Sequence, residues 1–365
     1  MIDDQLQPPD PRVTDGRERL TYCVILPAYN VAHHVHTVVA RLPDWIDRIV
    51  IVDDASTDDT LAVARSVEDA RVTVLSHEKN LGVGGAMVTG FRRALADGYD
   101  VVIKMDADDQ MDPSELGVLV RPIELGMAEY VKGNRFRVSG RPRAMPAMRW
   151  FGNVVLSFLT KVASGYWHVF DPQCGFVAIT APTLRRLRLD GIARDYYFEN
   201  DMLVRLNVID ARVVDVDTAA LYGDETSHLS VGHATWTFPW RLLRSFLWRF
   251  VKRHMVNDFG LVALLTLVGG TLAVFGAAFG IGHWVQSAVS GAPSTAGTVM
   301  IAVVPLILGI QMLMQALALE VQSSAGAAET RTLARHSLLV DEAAAGTRAG
   351  ETDAGPNRDT AVTTR

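Results

Sequence analysis

Two long stretches without a charged residue constrain the fold of this chain more than any other feature of its sequence. Residues 260–285 and residues 297–319 contain no Asp, Glu, Lys or Arg. Each stretch is longer than the roughly 20 residues that a helix needs to cross the hydrocarbon core of a bilayer. A buried helix of a soluble protein is the alternative, but such helices usually keep one charged face. The sequence therefore predicts two membrane-spanning helices.

The charges on either side of these stretches predict their orientation. The connection at residues 286–296 carries no charge, whereas basic residues precede the first stretch and follow the second: Arg249, Lys252, Arg253, Arg331 and Arg335. Because basic residues are retained on the cytoplasmic side of a membrane, we expect a two-helix hairpin in the cell membrane. The domain that precedes the hairpin would then be cytoplasmic.

The segment before the hairpin, residues 233–258, has the pattern of a helix that lies in the membrane surface. On a helical wheel the apolar side chains share one face and the basic ones share the opposite face: Leu243, Phe246, Leu247 and Phe250 against Arg241, Arg244, Arg249 and Lys252. Such a pattern is typical of an interfacial helix, with its basic face toward the headgroups. An ordinary amphipathic helix packed on the domain remains the alternative.

Net charge, cysteine content and the composition of the two terminal segments argue against several other classes of protein. The net charge of −6 argues against a nucleic-acid partner. The two cysteines, Cys23 and Cys174, lack the spacing of a metal site and are expected to be reduced thiols. Residues 1–20 and 323–365 lack hydrophobic periodicity, so we expect both to be disordered.

Residues 21–232 alternate between strand and helix patterns. Apolar runs predict strands at residues 22–26, 48–52, 72–75 and 101–105, and helical spacing predicts helices at residues 32–41, 57–66 and 84–96. This order predicts an α/β domain in which a parallel sheet carries helices on both faces. We assign the less regular residues 126–229 to the same domain.

Polar motifs directly follow three of the predicted strands, at residues 27–30, 53–56 and 106–110. Ligands of such sheets bind beyond the carboxyl ends of the strands, so we expect the three loops to converge on one crevice. Asp106 and Asp108 are two carboxylates one residue apart. This spacing suits a hard divalent cation that substrate phosphates also hold, although an acidic turn without a ligand can have the same sequence.

Taken together, the motifs carry a family resemblance. LPAYN follows the first strand, VDDAST the second and MDADDQMDP the fourth, and NLGVGGA opens a helix. This set resembles the family 2 glycosyltransferases of the GT-A fold, which is Rossmann-like, over residues 22 to about 229. With the hairpin added, the chain resembles the polyprenyl-phosphate glycosyltransferases, relatives of dolichol-phosphate mannose synthase.

The resemblance implies a role for each matching residue. The nucleotide would be held by Pro27, Ala28, Tyr29, Val52, Asp54, Asp106 and Ala107. Mg²⁺ or Mn²⁺ would be held by Asp106, Asp108 and Gln110. The acceptor phosphate would be held by Arg135 and Arg149, and Asp171 and Asp201 would orient the acceptor or serve as base.

Two of these assignments, and the role of the neighbouring Asp53, have alternatives. Asp53, next to Asp54, could cap the helix that follows it near Thr57 as well as contact the ligand. Arg149 could be a surface charge stacked on Trp150. A catalytic base is not strictly required, because a polyprenyl phosphate already offers an ionised oxygen at neutral pH.

The activity implied by the resemblance is transfer of a single hexose, with inversion, from a UDP-glucose or GDP-mannose type donor to polyprenyl phosphate at the cytoplasmic membrane face. Membrane lipid would be a partner, and the spacing of Gly276 and Gly280 favours close helix packing while leaving a homo-oligomer open. A processive polysaccharide synthase is a near alternative, but Pro146 stands where its Gln-x-x-Arg-Trp motif has Gln. A non-catalytic membrane scaffold is a third reading. Two departures from the family pattern are Val31, where Glu is common, and residues 222–228, which replace a basic loop.

Overall fold

The computed structural model of the chain describes residues 19–135, 147–218 and 231–323. The strands are β1 (Tyr22–Ala28), β2 (Arg48–Asp53), β3 (Val72–Ser76), β4 (Val101–Lys104), β5 (Tyr130–Asn134), β6 (Val177–Thr180) and β7 (Val213–Asp217). The helices are α1 (Val35–Arg41), α2 (Thr60–Arg65), α3 (Val83–Asp97), α4 (Leu116–Glu124), α5 (Ala147–Ser164), α6 (Ala181–Arg186), α7 (Phe198–Val208), α8 (Val231–Phe250), α9 (Leu261–Ser290) and α10 (Ala296–Ser323).

The first four strands form the parallel half of one sheet, as the sequence predicts. All seven strands are joined in the order β3-β2-β1-β4-β6-β5-β7, and β1 pairs in parallel with both β2 and β4. These strands are runs of apolar, largely β-branched residues that are buried on both faces of the sheet, which is the pattern of a parallel sheet covered by helices. Each predicted strand agrees with the observed one to within two residues.

The second half of the sheet is mixed, and the sequence analysis predicted no strands for it. Strand β6 is antiparallel to both of its neighbours, β4 and β5, while β7 returns to a parallel pairing with β5. Because β6 runs in the opposite direction, the segment that leads into it lies at the edge where β4 and β5 end. Residues 171–176 therefore reach the same edge of the sheet as the polar loops of the first half.

Helices cover both faces of the sheet. Helices α1, α2 and α4 pack on one face around Val38, Ile51 and Leu119, whereas α3, α6 and α7 pack on the other around Phe91 and Leu203. Helix α7 is enclosed on all sides, since nine of its eleven residues are buried. Helices α5 and α8 form a further layer outside α7, and their shared contacts include Ala163, Phe238 and Leu242.

The predicted interfacial segment is a helix followed by a π-helical stretch. Helix α8 ends at Phe250, and Val251–Asn257 continue as a π-helix before the hairpin begins. The predicted distribution of faces is wrong in two places. The pattern predicts Arg249 on the basic, headgroup-facing side, but Arg249 is fully buried, and Phe246 is partly buried against the α5–α8 layer. The exposed side of α8 instead carries Trp240, Leu243 and Leu247.

The two apolar stretches form a pair of long, closely packed helices. Helices α9 and α10 contain 30 and 28 residues, and both are long and apolar enough to cross a membrane. A Cβ atom added to Gly276 would lie 2.6 Å from the Ala302 carbonyl oxygen, and one added to Gly280 would lie 3.3 Å from the Ala302 Cβ. The small residues that the sequence singled out therefore serve packing within the hairpin.

Candidate active site

Three loops meet at the carboxyl edge of the parallel strands, and each holds a non-glycine residue in the left-handed region. Asn30 follows β1 with φ of 55°, Ala55 follows β2 with 58°, and Asp109 follows β4 with 60°. Such conformations cost on the order of 1–3 kcal/mol each and tend to collect at functional sites. The first two loops are also bound to each other, because the Asn30 side chain accepts a hydrogen bond from the Thr57 amide at 2.8 Å.

The residues assigned to the nucleotide lie side by side on β1 and β2. Pro27 pairs with Val52 in the sheet, and the Asp54 amide donates to the Ala28 carbonyl at 2.9 Å. The Asp54 carboxylate is buried. It accepts hydrogen bonds from the His77 ring at 2.7 Å and from the amides of Leu81 and Gly82, at the start of the NLGVGGA segment. The Asp54 carboxylate therefore links the loop after β2 to the segment directly before α3.

Asp53 does not cap the following helix, which removes that alternative. Helix α2 begins only at Thr60, and Asp58 makes the local hydrogen bonds to the Thr60 amide and hydroxyl. Asp53 accepts a hydrogen bond from the Ser56 amide at 3.4 Å through Oδ2. Its Oδ1 atom is buried and has no hydrogen-bond partner among the described residues. Asp53 thus has one carboxylate oxygen left for a ligand group.

Beneath the motif of Asp106 and Asp108 lies a buried cation that the sequence analysis did not identify. Lys104, the last residue of β4, is 1% exposed, and its Nζ lies 2.5 Å from Asp106 Oδ1 and 3.3 Å from Glu199 Oε1. Burial alone would lower the pKa of Lys104, but Asp106 and Glu199 outweigh that effect and raise the pKa above its ordinary value. Lys104 is therefore a permanent cation that holds Asp106 in place.

Other contacts fix the remaining residues of the loop after β4. Ala107 is buried, Asp108 accepts the Gln110 amide at 3.1 Å, and Asp109 pairs with Arg41 of α1 at 2.6 Å. No three His, Cys, Asp or Glu side chains in the described part of the chain come close enough to hold a metal by themselves. The Asp106 and Asp108 carboxylates nevertheless fit Mg²⁺ or Mn²⁺. Such an ion commonly binds one or two carboxylates and completes its coordination shell with substrate phosphates.

The structure joins two residues to which the family resemblance gives separate roles toward the acceptor. The Arg135 guanidinium makes a two-point contact with the buried Asp171 carboxylate, with Nε to Oδ2 at 2.8 Å and Nη2 to Oδ1 at 3.2 Å. Arg135 follows β5 and Asp171 precedes β6, so the antiparallel β6 is what brings them together. The side chain of Arg149, and residues 222–228, lie outside the described part of the structure.

Comparison with known proteins decides the family. The family model "Glycosyl transferase family 2" matches residues 23–187. A UDP-N-acetylglucosamine--dolichyl-phosphate N-acetylglucosaminyltransferase from Methanococcus voltae is 33% identical over 202 residues, which cover 51% of this chain and 80% of the relative. The chain belongs to glycosyl transferase family 2. An undecaprenyl-phosphate mannosyltransferase from Micrococcus luteus is 34% identical over 197 residues, which cover 53% of this glycosyltransferase and 80% of the relative.

The fold of this glycosyltransferase also has a solved counterpart. The mannosyl-3-phosphoglycerate synthase from Rubrobacter xylanophilus aligns with a TM-score of 0.50 at 19% identity, over 66% of this chain and 77% of that one. The GT-A fold predicted from the motifs is confirmed. The family model and the two named transferase relatives confirm that the chain is a glycosyltransferase, so the alternative of a non-catalytic scaffold is excluded.

The remaining assigned residue, Asp201, has local partners in this glycosyltransferase. Its carboxylate accepts hydrogen bonds from the Ala193 amide at 2.8 Å and from Arg205 Nε at 2.7 Å, and so fixes the loop before α7. The neighbouring Asn200, to which the sequence analysis gave no role, is buried beside Asp201 in α7. Asn200 accepts hydrogen bonds from Gln173 and Thr160, both at 2.9 Å.

A second buried lysine was also missed. Lys132 of β5 donates to the Cys174 carbonyl oxygen, and burial lowers its pKa. In the sheet, Lys104 and Lys132 both pair with Val177 of β6, so the two cations lie on the same face. The available sequence signal was a lysine at the end of the apolar run VVIK and another within the strand YVKGN.

Proposed function

We propose that this glycosyltransferase moves a single hexose from a nucleoside-diphosphate sugar to polyprenyl phosphate at the cytoplasmic face of the membrane. One observation carries the proposal. The loop of Asp106 and Asp108 and the Arg135–Asp171 pair lie at one edge of the sheet, in a domain that packs directly against the helices leading into the hairpin. In this proposal, the donor-side and acceptor-side groups share this edge of the sheet, in the domain that the hairpin anchors.

On the donor side, Pro27, Val52 and Asp54 would line the base and ribose pocket, as in the family pattern. Asp108, with Asp106 and Gln110, would hold Mg²⁺ or Mn²⁺, which when bound neutralises the charge that grows on the leaving diphosphate. The contact with Lys104 Nζ holds the Asp106 carboxylate in place for this task. Asp53 Oδ1 offers a further acceptor for a ligand hydroxyl.

On the acceptor side, a planar guanidinium suits the recognition of a phosphate group. Asp171 fixes the plane of the Arg135 guanidinium through two hydrogen bonds, so its role in this proposal is orientation. A base is not needed to ionise the acceptor, since a phosphate monoester carries an anionic oxygen at neutral pH. The names of the two relatives, which act on dolichyl phosphate and undecaprenyl phosphate, support this acceptor class.

The test uses membranes that contain the full-length chain. Labelled UDP-glucose, GDP-mannose and UDP-N-acetylglucosamine are supplied in turn with polyprenyl phosphate, and label in the organic extract is counted. We expect one donor to label the lipid, with EDTA abolishing the signal. Asp108→Asn should remove turnover while the protein stays folded and membrane-bound.

A matched control for Asp108→Asn is Asp190→Asn, because the Asp190 side chain is 90% exposed and pairs with surface Arg92. This variant should keep full activity. An active Asp108→Asn enzyme, or full activity in EDTA, would contradict the metal assignment. Absence of labelled lipid with every donor would contradict the acceptor class.

A further inference from the structure

One acidic residue of the membrane hairpin is bound to the catalytic domain. Glu320 is the only acidic residue in α9 and α10, and it lies one turn before α10 ends. Its carboxylate lies 2.5 Å from Arg249 Nη1, and both side chains are buried. Burial of a charged side chain is costly unless it is paired, so this contact fixes the end of α10 to the domain.

Arg249 occupies a site that the catalytic domain builds for it. Its Nε donates to the Ala163 carbonyl at 2.7 Å, and its Nη1 donates to Asn207 Oδ1 at 3.2 Å. Gly165 adopts φ of 75°, and a Cβ atom at that position would lie 2.7 Å from Arg249 Nη1. The buried guanidinium therefore connects α5, α7, α8 and α10 at one point.

The same end of α7 receives two more contacts from the membrane side. Arg253 donates to the Asn207 carbonyl oxygen, and Asn257 Nδ2 donates to the Val208 carbonyl at 3.1 Å. The last carbonyl groups of a helix lack partners within the helix and carry partial negative charge, so donors and cations stabilise that end. The π-helical stretch thus caps α7.

The other end of α7 lies in the candidate active site. Glu199 in its first turn pairs with Lys104, which holds Asp106, and Asn200 binds Gln173 of the segment before β6. Helix α7 has 11 residues, about 16 Å from end to end. It is buried on all sides in a close-packed interior, so a displacement at one end has to be accommodated at the other.

We propose that Glu320 is a positioning residue for the catalytic site, acting through Arg249 and α7 on the Glu199–Lys104–Asp106 cluster. The hairpin then sets the geometry of the donor site in addition to anchoring the enzyme. Without the Glu320 carboxylate, Arg249 is left as a buried cation lacking its counter-charge, which strongly destabilises its surroundings. The coupling between Glu320 and the Glu199–Lys104–Asp106 cluster is inferred from the contacts alone. Only its effect on catalysis rests on the proposed function.

The first experiment measures hydrogen exchange of the full-length enzyme in lipid nanodiscs. Glu320→Gln should raise exchange at both ends of α7 and in residues 104–110. The matched control is Asp210→Asn, which breaks the Arg253–Asp210 pair in the same region, where the Asp210 side chain is 85% exposed. The control should leave exchange at residues 104–110 unchanged.

The second experiment separates positioning from anchoring by kinetics. At saturating concentrations of both substrates, Glu320→Gln should lower kcat by roughly tenfold to a hundredfold, the range seen when groups supporting a metal site are removed. The KM for polyprenyl phosphate should stay unchanged, and Glu320→Asp, which keeps the charge, should recover part of kcat. If Glu320→Gln fails to fold, Gly165→Ala displaces Arg249 instead and should give the same exchange pattern.

Exchange that rises only in α10, with residues 104–110 unaffected, would overturn the proposal. So would a variant that keeps kcat and only loses affinity for the lipid. The exchange result does not depend on which substrates the enzyme uses. A failure of the proposed function is therefore distinguishable from a failure of this inference.

Discussion

At the scale of single residues, Lys104 shows how a strand and a binding loop are coupled. It ends the apolar run of β4, where an exposed lysine would be unremarkable, yet it is buried between Asp106 and Glu199. Lys104 therefore connects the end of β4 both to the loop that carries Asp108 and to the first turn of α7.

Replacing Lys104 by Met keeps the length of the side chain and removes its charge. We expect a loss of about 3 kcal/mol in the free energy of unfolding, the low end for a broken buried ion pair, because Asp106 is one third exposed. The measurement is denaturant unfolding of the detergent-solubilised enzyme. Arg93→Met, which removes an exposed pair with Asp97, should cost less than about 1 kcal/mol.

The pH dependence of this difference follows from the sign of the Lys104 pKa shift. A raised pKa in the folded state gives stability that is complete below the unfolded-state pKa of about 10.4 and is lost only as the pH rises through the folded-state pKa. The difference between Lys104→Met and the parent enzyme should therefore stay constant from about pH 6 to about pH 9. A marked decline within that range would contradict a charged Lys104.

A second result at the residue scale concerns the role of Asp171. The family pattern assigned Arg135 to the acceptor and left Asp171 as an orienting group or base. The structure places the two in a two-point contact, which favours orientation. Sequence alone could not pair them, because 36 residues separate them and their proximity depends on the direction of β6.

At the scale of elements, helix α8 has one face toward the catalytic domain and another toward solvent or membrane. Leu242 is buried, whereas its neighbour Leu243 and the next turn's Leu247 are exposed. Exposed apolar side chains beside Trp240, directly before two apolar helices, are the pattern of an interfacial contact. The interfacial role of this segment stays a prediction, now with a different set of contact residues.

The double change Leu243→Ser and Leu247→Ser tests that set. It should weaken use of the lipid acceptor and leave the melting temperature nearly unchanged, because both side chains are already exposed. The measurement pairs an acceptor titration with thermal unfolding. The control Leu242→Ser should instead destabilise the fold by about 2–5 kcal/mol. An unchanged acceptor titration for the double variant would contradict the predicted contact of α8 with the membrane surface.

At the scale of the whole molecule, the hairpin orientation still rests on the charges that flank it. The connection between α9 and α10 includes Ser294, which is exposed, and the predicted topology puts it outside the cell. Native Cys23 and Cys174 are both buried and should not react with an impermeant thiol reagent. A single introduced cysteine can therefore report its own side of the membrane.

We expect Ser294→Cys to be labelled on intact cells and Asp190→Cys to be labelled only after permeabilisation. The reason is that Asp190 lies on the surface of the domain predicted to be cytoplasmic. The measurement is reagent incorporation on a gel before and after permeabilisation. Labelling of Asp190→Cys on intact cells would reverse the orientation.

Sequence by itself determined the features that depend on local pattern. The parallel half of the sheet, the three loops at its edge and the two apolar helices follow from hydrophobic periodicity and turn residues, which act over a few neighbouring positions. Only the tertiary structure decided the direction of β6, the burial of Lys104 and Arg249, and the contact of Glu320 with the catalytic domain. Each of these depends on contacts between distant segments, and whether a charge is buried is set by partners that the local sequence does not contain.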